Sequence, residues 1–155
     1  MKRTIFVVVF VFINTFAFSQ NSIIDKYNGI IDFYLGISNS FLGQNEDFIR
    51  QFPLAQRVNR NTYKLEDNFI VILENGIINL IIIGESFNRT NEAFDFLSVF
   101  YNYFENNKWE YIESSHRNEE IFFKNGIYAI ILQPSKRDDG LIAAAIFLSK
   151  KKNPF

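Results

Sequence analysis

The stretch that decides the fold reads FIVILENGIINLIII and covers residues 69–83. Two apolar runs flank Asn75-Gly76. Asn-Gly between β-rich runs is the strongest short-range signal for a hairpin, because both turn residues take positive φ angles. The same arrangement recurs at Asn125-Gly126, and Asp139-Gly140 precedes a further apolar run. Three such turns predict an antiparallel sheet of about five to six strands.

Helical patterns precede this sheet. Apolar residues at helical spacing predict a first helix over Asn21–Leu35 that ends at Gly36, because glycine is the usual residue after a helix C-terminus. A short second helix is predicted over about Asn45–Phe52, with Asn45 as its cap. Pro53 then begins a polar connector that reaches about Thr62.

The longest predicted helix covers about Asn91–Asn106 and presents a wide apolar stripe. The stripe consists of Ala93, Phe94, Leu97, Phe100, Tyr101 and Phe104. Further along the chain, Leu141–Leu148 is apolar on both faces, which is typical of a strand in the middle of a sheet and covered on each side. Its three alanines let a neighbour approach closely, so we expect the long helix to lie across this strand.

These elements predict a single α+β domain with helices on one face of the antiparallel sheet. The order is a helix, a short helix, two strands, a long helix and four strands. It resembles the layout of small secreted α+β domains of the cystatin-like and PsbP-like kinds. The resemblance is one of layout and implies no site residue.

The N-terminal segment Met1–Ser19 has the pattern of an export signal. Lys2 and Arg3 supply the positive start, residues 5–13 are uninterruptedly apolar, and small residues precede the expected cleavage between Ser19 and Gln20. The alternative is an uncleaved anchor. A membrane span needs about 20 apolar residues, and the uninterrupted apolar run of residues 5–13 is shorter, which argues against the anchor. Residues 20–155 then form one globular domain in the periplasm or the medium, with no stable membrane anchor.

Composition excludes several classes of function. The chain has no cysteine, which rules out disulfides, thiol catalysis and thiolate metal sites. Cleavage would leave 14 basic and 17 acidic residues, and this acidic balance argues against binding of nucleic acid. Abundant Ile, Phe, Asn and Lys, whose codons are AT-rich, favour a bacterial source.

Catalytic and metal-binding constellations are likewise missing from the sequence, so we predict no catalytic residue, no metal and no cofactor. His116 is the single histidine, and Ser114 and Ser115 beside it lack the glycine-flanked turn of a serine nucleophile. One histidine without cysteine does not make an ordinary zinc site. No glycine-rich loop that could hold a phosphate precedes a predicted helix.

Aromatic content is the feature that departs most from the average, with 19 Phe and 7 Tyr among 155 residues. The simpler interpretation is a core filled by Phe in place of Leu. The more specific one is a pocket for a small apolar ligand between the long helix and the sheet. Its lining would be Phe94, Phe100, Tyr101, Phe104 and Trp109. Tyr101, Tyr103 and Trp109 also suit a surface for a protein partner.

Three functional hypotheses follow. The first is an exported, non-catalytic interaction module that binds an envelope or extracellular protein. The second is a carrier of a small apolar ligand, and the third is a hydrolase without a familiar motif. The absence of a catalytic constellation places the interaction module first.

The signal segment generates the first testable prediction. The protein recovered outside the cytoplasm should begin at Gln20, because signal peptidase removes the segment that precedes the small-residue site. N-terminal sequencing and intact mass of the exported protein measure this directly. A membrane-bound protein that still carries Met1–Ser19 would contradict the prediction and support the anchor.

Overall fold

The computed structural model describes residues 23–112 and 119–154, and in these ranges it contains four α-helices and nine β-strands. In chain order they are α1 (Ile23–Asn28), α2 (Ile31–Phe41), α3 (Glu46–Arg50), β1 (Gln56–Asn59), β2 (Thr62–Glu66), β3 (Phe69–Glu74), β4 (Ile77–Phe87), α4 (Thr90–Asn106), β5 (Glu110–Ile112), β6 (Glu119–Lys124), β7 (Ile127–Leu132), β8 (Ser135–Lys136) and β9 (Ile142–Ser149). The predicted export signal and the segment around His116 lie outside the described residues.

The strands form one antiparallel sheet in the order β1-β2-β3-β4-β9-β7-β6-β5, with β8 paired to the start of β9. The α+β class is therefore confirmed, but the sheet has nine strands instead of five to six. The strands that were not predicted are β1, β2 and β8, and β1 lies within the predicted connector Pro53–Thr62. All four residues of β1 are exposed, so this edge strand carries no apolar periodicity.

Two of the predicted hairpins have the expected turn. Asn75 and Gly76 have φ angles of 53° and 77°, and Asn125 and Gly126 have φ angles of 52° and 80°. Positive φ at both central residues matches the right-handed twist of the paired strands. These turns connect β3 to β4 and β6 to β7.

The third hairpin is present with a different turn. Gly140 has a φ angle of 89°, while Asp139 is absent from the positive-φ residues of the described chain. The Gly140 N–H donates to the Arg137 carbonyl at 3.0 Å, and the Leu141 N–H donates to the Asp139 carboxylate at 3.1 Å. This is the geometry of a longer loop with a single left-handed glycine.

The predicted first helix, Asn21–Leu35, is wrong in its continuity and in its end. The described chain has two helices here, interrupted at Gly29-Ile30, and α2 continues through Gly36 to Phe41. A helical glycine destabilises by about 1 kcal/mol relative to alanine. Burial of Leu35 and Phe41 on the two sides of Gly36 offsets this, because tertiary packing supplies most helical stability.

The other two helices are confirmed. The short helix α3 begins after Asn45, whose side-chain Oδ1 accepts a hydrogen bond from the Phe48 N–H at 3.2 Å. The long helix α4 covers Thr90–Asn106, one residue longer at its start than predicted.

The main core lies between the four helices and one face of the sheet, which we call the inner sheet face. Strand β9 is central, flanked by β4 and β7, and α4 packs against β9, β4 and α1. Both predictions for residues 141–148, a central place and contact with the long helix, are confirmed. Inner-face side chains in the core are Phe69, Val71, Leu73, Ile78, Ile81, Ile83, Phe122, Ile127, Ala129, Ile131, Ala144, Ile146 and Leu148.

The close approach of α4 to β9 generates a prediction about Ala144, which is 3 % exposed. Ala144→Phe should lower the free energy of unfolding by about 1–3 kcal/mol, because the added ring overpacks the core beneath the helix. Thermal and urea unfolding measure the loss.

Ala143→Phe is the matched control, since Ala143 is adjacent in β9, partly exposed and on the opposite face. An unchanged melting temperature for Ala144→Phe would contradict the packing described here.

Candidate functional site

The predicted aromatic pocket residues Phe100 and Phe104 lie in the main core. Both are completely buried. The Phe100 ring centroid lies 5.2 Å from that of Phe96 and 6.4 Å from that of Tyr27. These edge-on and tilted contacts are the usual arrangement of packed aromatic side chains.

Tyr101 and Phe104 contact Phe122 of β6, a ring that the sequence analysis did not include, and Trp109 contacts Phe104. The Phe122 centroid lies 5.2 Å from Tyr101 and 5.2 Å from Phe104, and Trp109 lies 4.7 Å from Phe104. Four of the five predicted residues therefore contact other aromatic rings.

The structure separates Phe94 from the other four. Its side chain is 48 % exposed, while Phe96 is completely buried in its place. The buried residues of α4 are Ala93, Phe96, Leu97, Val99, Phe100 and Phe104. At 100° per residue, Phe94 lies about a third of a turn from the centre of this set, on the side away from Val99. A tighter 3–4 spacing rule applied to the sequence would have selected Phe96.

Tyr103, considered for a partner surface, uses its hydroxyl within the molecule. The hydroxyl donates to Asp32 Oδ1 at 2.7 Å and so connects α4 to α2. Burial, followed by this hydrogen bond and the charge of Asp32, raises the pKa of Tyr103 to about 12. The phenol thus stays neutral and acts as a structural link.

The densest polar cluster connects α3 to β2. Glu46 accepts from the Tyr63 hydroxyl at 2.6 Å and from Arg50 Nη2 at 2.8 Å. Arg57 lies 3.5 Å from the same carboxylate oxygen. The Tyr63 hydrogen bond, then that of Arg50, lowers the pKa of Glu46. The carboxylate is therefore ionised and already bonded by its neighbours.

Metal binding finds no support in the part of the chain that the structure describes. No group of three or more His, Asp or Glu residues is placed there to hold an ion. Likewise, no helix in the described ranges is long and apolar enough to cross a membrane.

The feature that stands out is the second face of the sheet, which we call the outer sheet face. Six strands contribute large apolar side chains to it: Ile70 and Ile72 of β3, Leu80 and Ile82 of β4, Phe147 of β9, Tyr128, Ile130 and Leu132 of β7, Ile121 and Phe123 of β6, and Ile112 of β5. An antiparallel sheet with helices on one side usually presents alternating polar residues on the other.

Strand register aligns these side chains into rows. One row runs Ile70, Ile82, Phe147, Ile130, Ile121 and Ile112 from β3 to β5. A second row runs Ile72, Leu80, Ser149, Tyr128 and Phe123, and the last two rings lie 4.7 Å apart. The outer sheet face is thus one continuous apolar surface.

Helix packing does not account for this surface. The buried side chains of all four described helices belong to the main core together with the inner sheet face. Leu80, Ile121 and Ile130 are 6 %, 4 % and 1 % exposed, yet they lie outside that core. The remaining large side chains of the outer sheet face are partly exposed.

Charged residues lie at the two ends of the rows and differ in sign. Lys64 of β2 pairs with Ile70 at one end of the first row. Glu110 of β5 and Glu119 of β6 pair with Phe123 and Leu132 near the other end. Lys64, which forms an ion pair with Asp67 of its own chain, and the two glutamates thus border the apolar rows on opposite sides.

Sequence analysis missed the outer sheet face although the signal is present. Only residues 141–148 were interpreted as a strand that is apolar on both faces. Residues 69–73, 77–83 and 127–132 have the same property. Strands of that kind indicate two covered faces. Because the predicted helices were all placed on one face of the sheet, the apolar side chains on the other face had to be covered by something else.

Comparison of the chain with protein-family models, with curated proteins and with solved structures found no significant match.

The Tyr103–Asp32 link generates a pH prediction. An unfolded tyrosine has a pKa near 10, and the folded pKa is about 12, so the native state favours the protonated phenol. This stabilisation is complete below pH 10 and is lost as the pH rises through 12. Tyr103→Phe should lower the free energy of unfolding by about 1 kcal/mol at neutral pH. Above pH 10, the free energy of unfolding of this variant should decrease less steeply with pH than that of the wild type.

Urea unfolding of both proteins at neutral pH and at several alkaline pH values checks this. Burial also raises the pKa of Tyr34, so Tyr34→Phe serves as a control that leaves the Asp32 link intact. Equal alkaline dependence of the wild type and Tyr103→Phe would refute the role of this phenol.

Proposed function

We propose that this protein is a non-catalytic interaction module, exported to the periplasm or the medium, that binds its partner through the outer sheet face. The single observation that carries the proposal is a continuous apolar surface across six strands that the described helices leave uncovered. Ile70, Ile72, Ile82 and Tyr128 of this surface are partly exposed around the buried Ile121 and Ile130. Apolar and aromatic side chains of this kind form the centre of protein–protein interfaces.

The polar clusters of the described chain support binding over catalysis. Glu46 is bonded by Tyr63 and Arg50, and Asp32 is bonded by Tyr103. These bonds connect one element to another and satisfy the carboxylates that they contact. A general acid or base needs a group that is free to exchange a proton with a substrate.

Export rests on the sequence of Met1–Ser19. The positive start, the apolar run and the small residues before Gln20 are the three parts of a secretory signal. In the exported protein the outer sheet face meets partners of the envelope or the medium.

A carrier of a small apolar ligand is the second candidate. The observation that favours it is the hydroxyl of Tyr27, which is buried and has no hydrogen-bond partner among the described residues. It belongs to a ring in contact with Phe96 and Phe100. A polar group on an otherwise apolar ligand would satisfy it. Native mass spectrometry of the wild type and Tyr27→Phe tests this, since a mass retained only by the wild type would support the carrier.

Photo-crosslinking in cells that export the protein tests the interaction module. We expect p-benzoylphenylalanine in place of Ile82, a partly exposed residue near the middle of the outer sheet face, to form covalent adducts with a bound protein. Phe94 is the matched control, because it is an exposed aromatic residue on α4. The same replacement there should give few adducts.

Adducts of defined mass from position 82 and not from position 94 would support the proposal. Equal labelling at the two positions, or no adduct at position 82, would overturn it.

A further inference from the structure

We infer that strand β1 is a separate binding site, at which a short, extended, acidic segment of another protein adds to the sheet as a further strand. This inference goes beyond the proposed function, because β1 is the end strand of the sheet and lies outside the six strands of the outer sheet face. Segments that add to a sheet edge gain affinity from backbone hydrogen bonds and specificity from the side chains beside that edge.

The side chains of β1 are accessible in the folded chain. Among the described strands β1 has one neighbour, β2, and all four of its residues are exposed. Val58 is 61 % exposed, the largest fraction for any large apolar side chain in the described ranges, and Leu54 just before the strand is 48 % exposed. An incoming strand therefore finds two apolar side chains to cover.

Backbone groups along this edge are open to hydrogen bonding as well. A strand in an antiparallel ladder bonds each neighbour through alternate residues, so an end strand leaves a row of N–H and C=O groups unpaired. Within the described ranges, no turn or side chain forms a hydrogen bond with the backbone of residues 56–58. The outward groups of this segment can thus bond a further strand.

The arginine within β1 is held away from this edge. Arg57 Nε donates to the Asn59 carbonyl at 3.2 Å, and Arg57 Nη2 donates to the Arg60 carbonyl at 2.9 Å. The guanidinium also lies 5.8 Å from the centre of the ring of Tyr63, which belongs to β2 and to the main core. A charged side chain directed across an edge strand would oppose strand addition, and these contacts direct Arg57 toward β2 and the turn.

Charge around β1 selects an acidic partner. All the charged residues between Phe48 and Leu65 are basic, namely Arg50, Arg57, Arg60 and Lys64. Glu46 pairs with Arg50 and Arg57, and Asp67 pairs with Lys64. Arg60, in the turn after β1, is exposed and forms no ion pair in the described part of the chain. Its guanidinium is the group that a carboxylate of the partner would contact.

A second copy of this chain fits the edge less well than an acidic segment does. Two β1 strands paired about a two-fold axis would bring Arg57 and Arg60 of both copies to the same edge. Like charges on adjacent strands destabilise their pairing. The basic residues thus disfavour self-pairing and favour a partner of opposite charge.

The length of the site sets the length of the segment. Residues 54–59 extend over roughly 20 Å at about 3.3 Å per residue, which matches about six residues of an added strand. The register shift between Arg57 and Asn59 bends the end of β1, so the straight part of the edge precedes Asn59. A segment of about four to six residues therefore suffices.

Fluorescence anisotropy of the exported protein with three labelled, end-blocked hexapeptides tests the inference. The first alternates valine with glutamate, the second valine with lysine, and the third proline with glutamate. We expect saturable binding of the first peptide only. The second has the wrong charge, and the third has the acidic charge but lacks the N–H groups of every second residue, which a strand ladder requires.

Variants locate the bound peptide at β1. Arg60→Glu should raise the dissociation constant of the valine–glutamate peptide about three- to tenfold, because the new carboxylate repels those of the peptide. Lys136→Glu is the control, since it makes the same change of charge at an exposed position of β8 and should leave binding unchanged. Amide hydrogen exchange of residues 56–58 should slow when the peptide binds.

A second pair of variants separates charge from loss of the apolar side chain. Val58→Glu and Val58→Lys both remove the valine, and the glutamate variant should bind the valine–glutamate peptide about three- to tenfold more weakly than the lysine variant. Equal affinities for these two variants would contradict charge selection at this edge. Circular dichroism verifies that each variant is folded.

The remaining outcomes decide between the alternatives. Equal binding of the proline–glutamate peptide would overturn strand addition, and equal binding of the valine–lysine peptide, or no binding of any peptide, would overturn the inference. A wild-type dimer that Val58→Glu or Arg60→Glu alters and the peptide does not enter would assign the edge to a second copy instead. Crosslinking at position 82 reports on the outer sheet face alone, so this inference and the proposed function can fail separately.

Discussion

The fold depends on β9 being apolar on both of its faces. Ala144, Ile146 and Leu148 point into the main core under α4, and the intervening residues belong to the outer sheet face. A strand with two apolar faces is stable only in the middle of a sheet that is covered on both sides. The described helices cover one of these two sides.

Packing on the inner side explains the unusual composition. Aromatic rings from α1 and α4 meet over the central strands, with Phe96 in edge-on contact with Tyr27 at 4.7 Å. Alanines at positions 93 and 144 allow the helix to approach β9 closely. Large rings and small alanines together fill the space that leucines would fill in an average core.

Local signals were sufficient for much of this architecture. The Asn-Gly turns are decided by positive φ angles at two adjacent residues, and α4 by an apolar stripe over almost five turns, so both could be predicted from the sequence. Polar edge strand β1 is stabilised by pairing with β2, which leaves no trace in local composition. The break at Gly29 and the passage of α2 through Gly36 depend on tertiary packing that a single sequence does not reveal.

The candidate site was less accessible to sequence reasoning. The aromatic side chains of α4 suggested a ligand pocket. In the structure Phe100 and Phe104 are completely buried in the core, and Phe94 is exposed. The outer sheet face is recognisable only when the alternate positions that point to each side of the sheet are compared across several strands. Strand register then adds what no sequence pattern contains, namely the alignment of Ile82, Phe147 and Ile130 in one row.

Methyl NMR of the purified exported protein with a soluble paramagnetic relaxation agent tests the central claim most directly. Ile81, completely buried, and Ile77, 41 % exposed, serve as internal references for protected and accessible methyl groups. If the central part of the outer sheet face is covered in solution, the methyl groups of Ile130 and Ile121 will be as protected as that of Ile81. If they relax at a rate close to that of Ile77, the face is open to water and the account is contradicted.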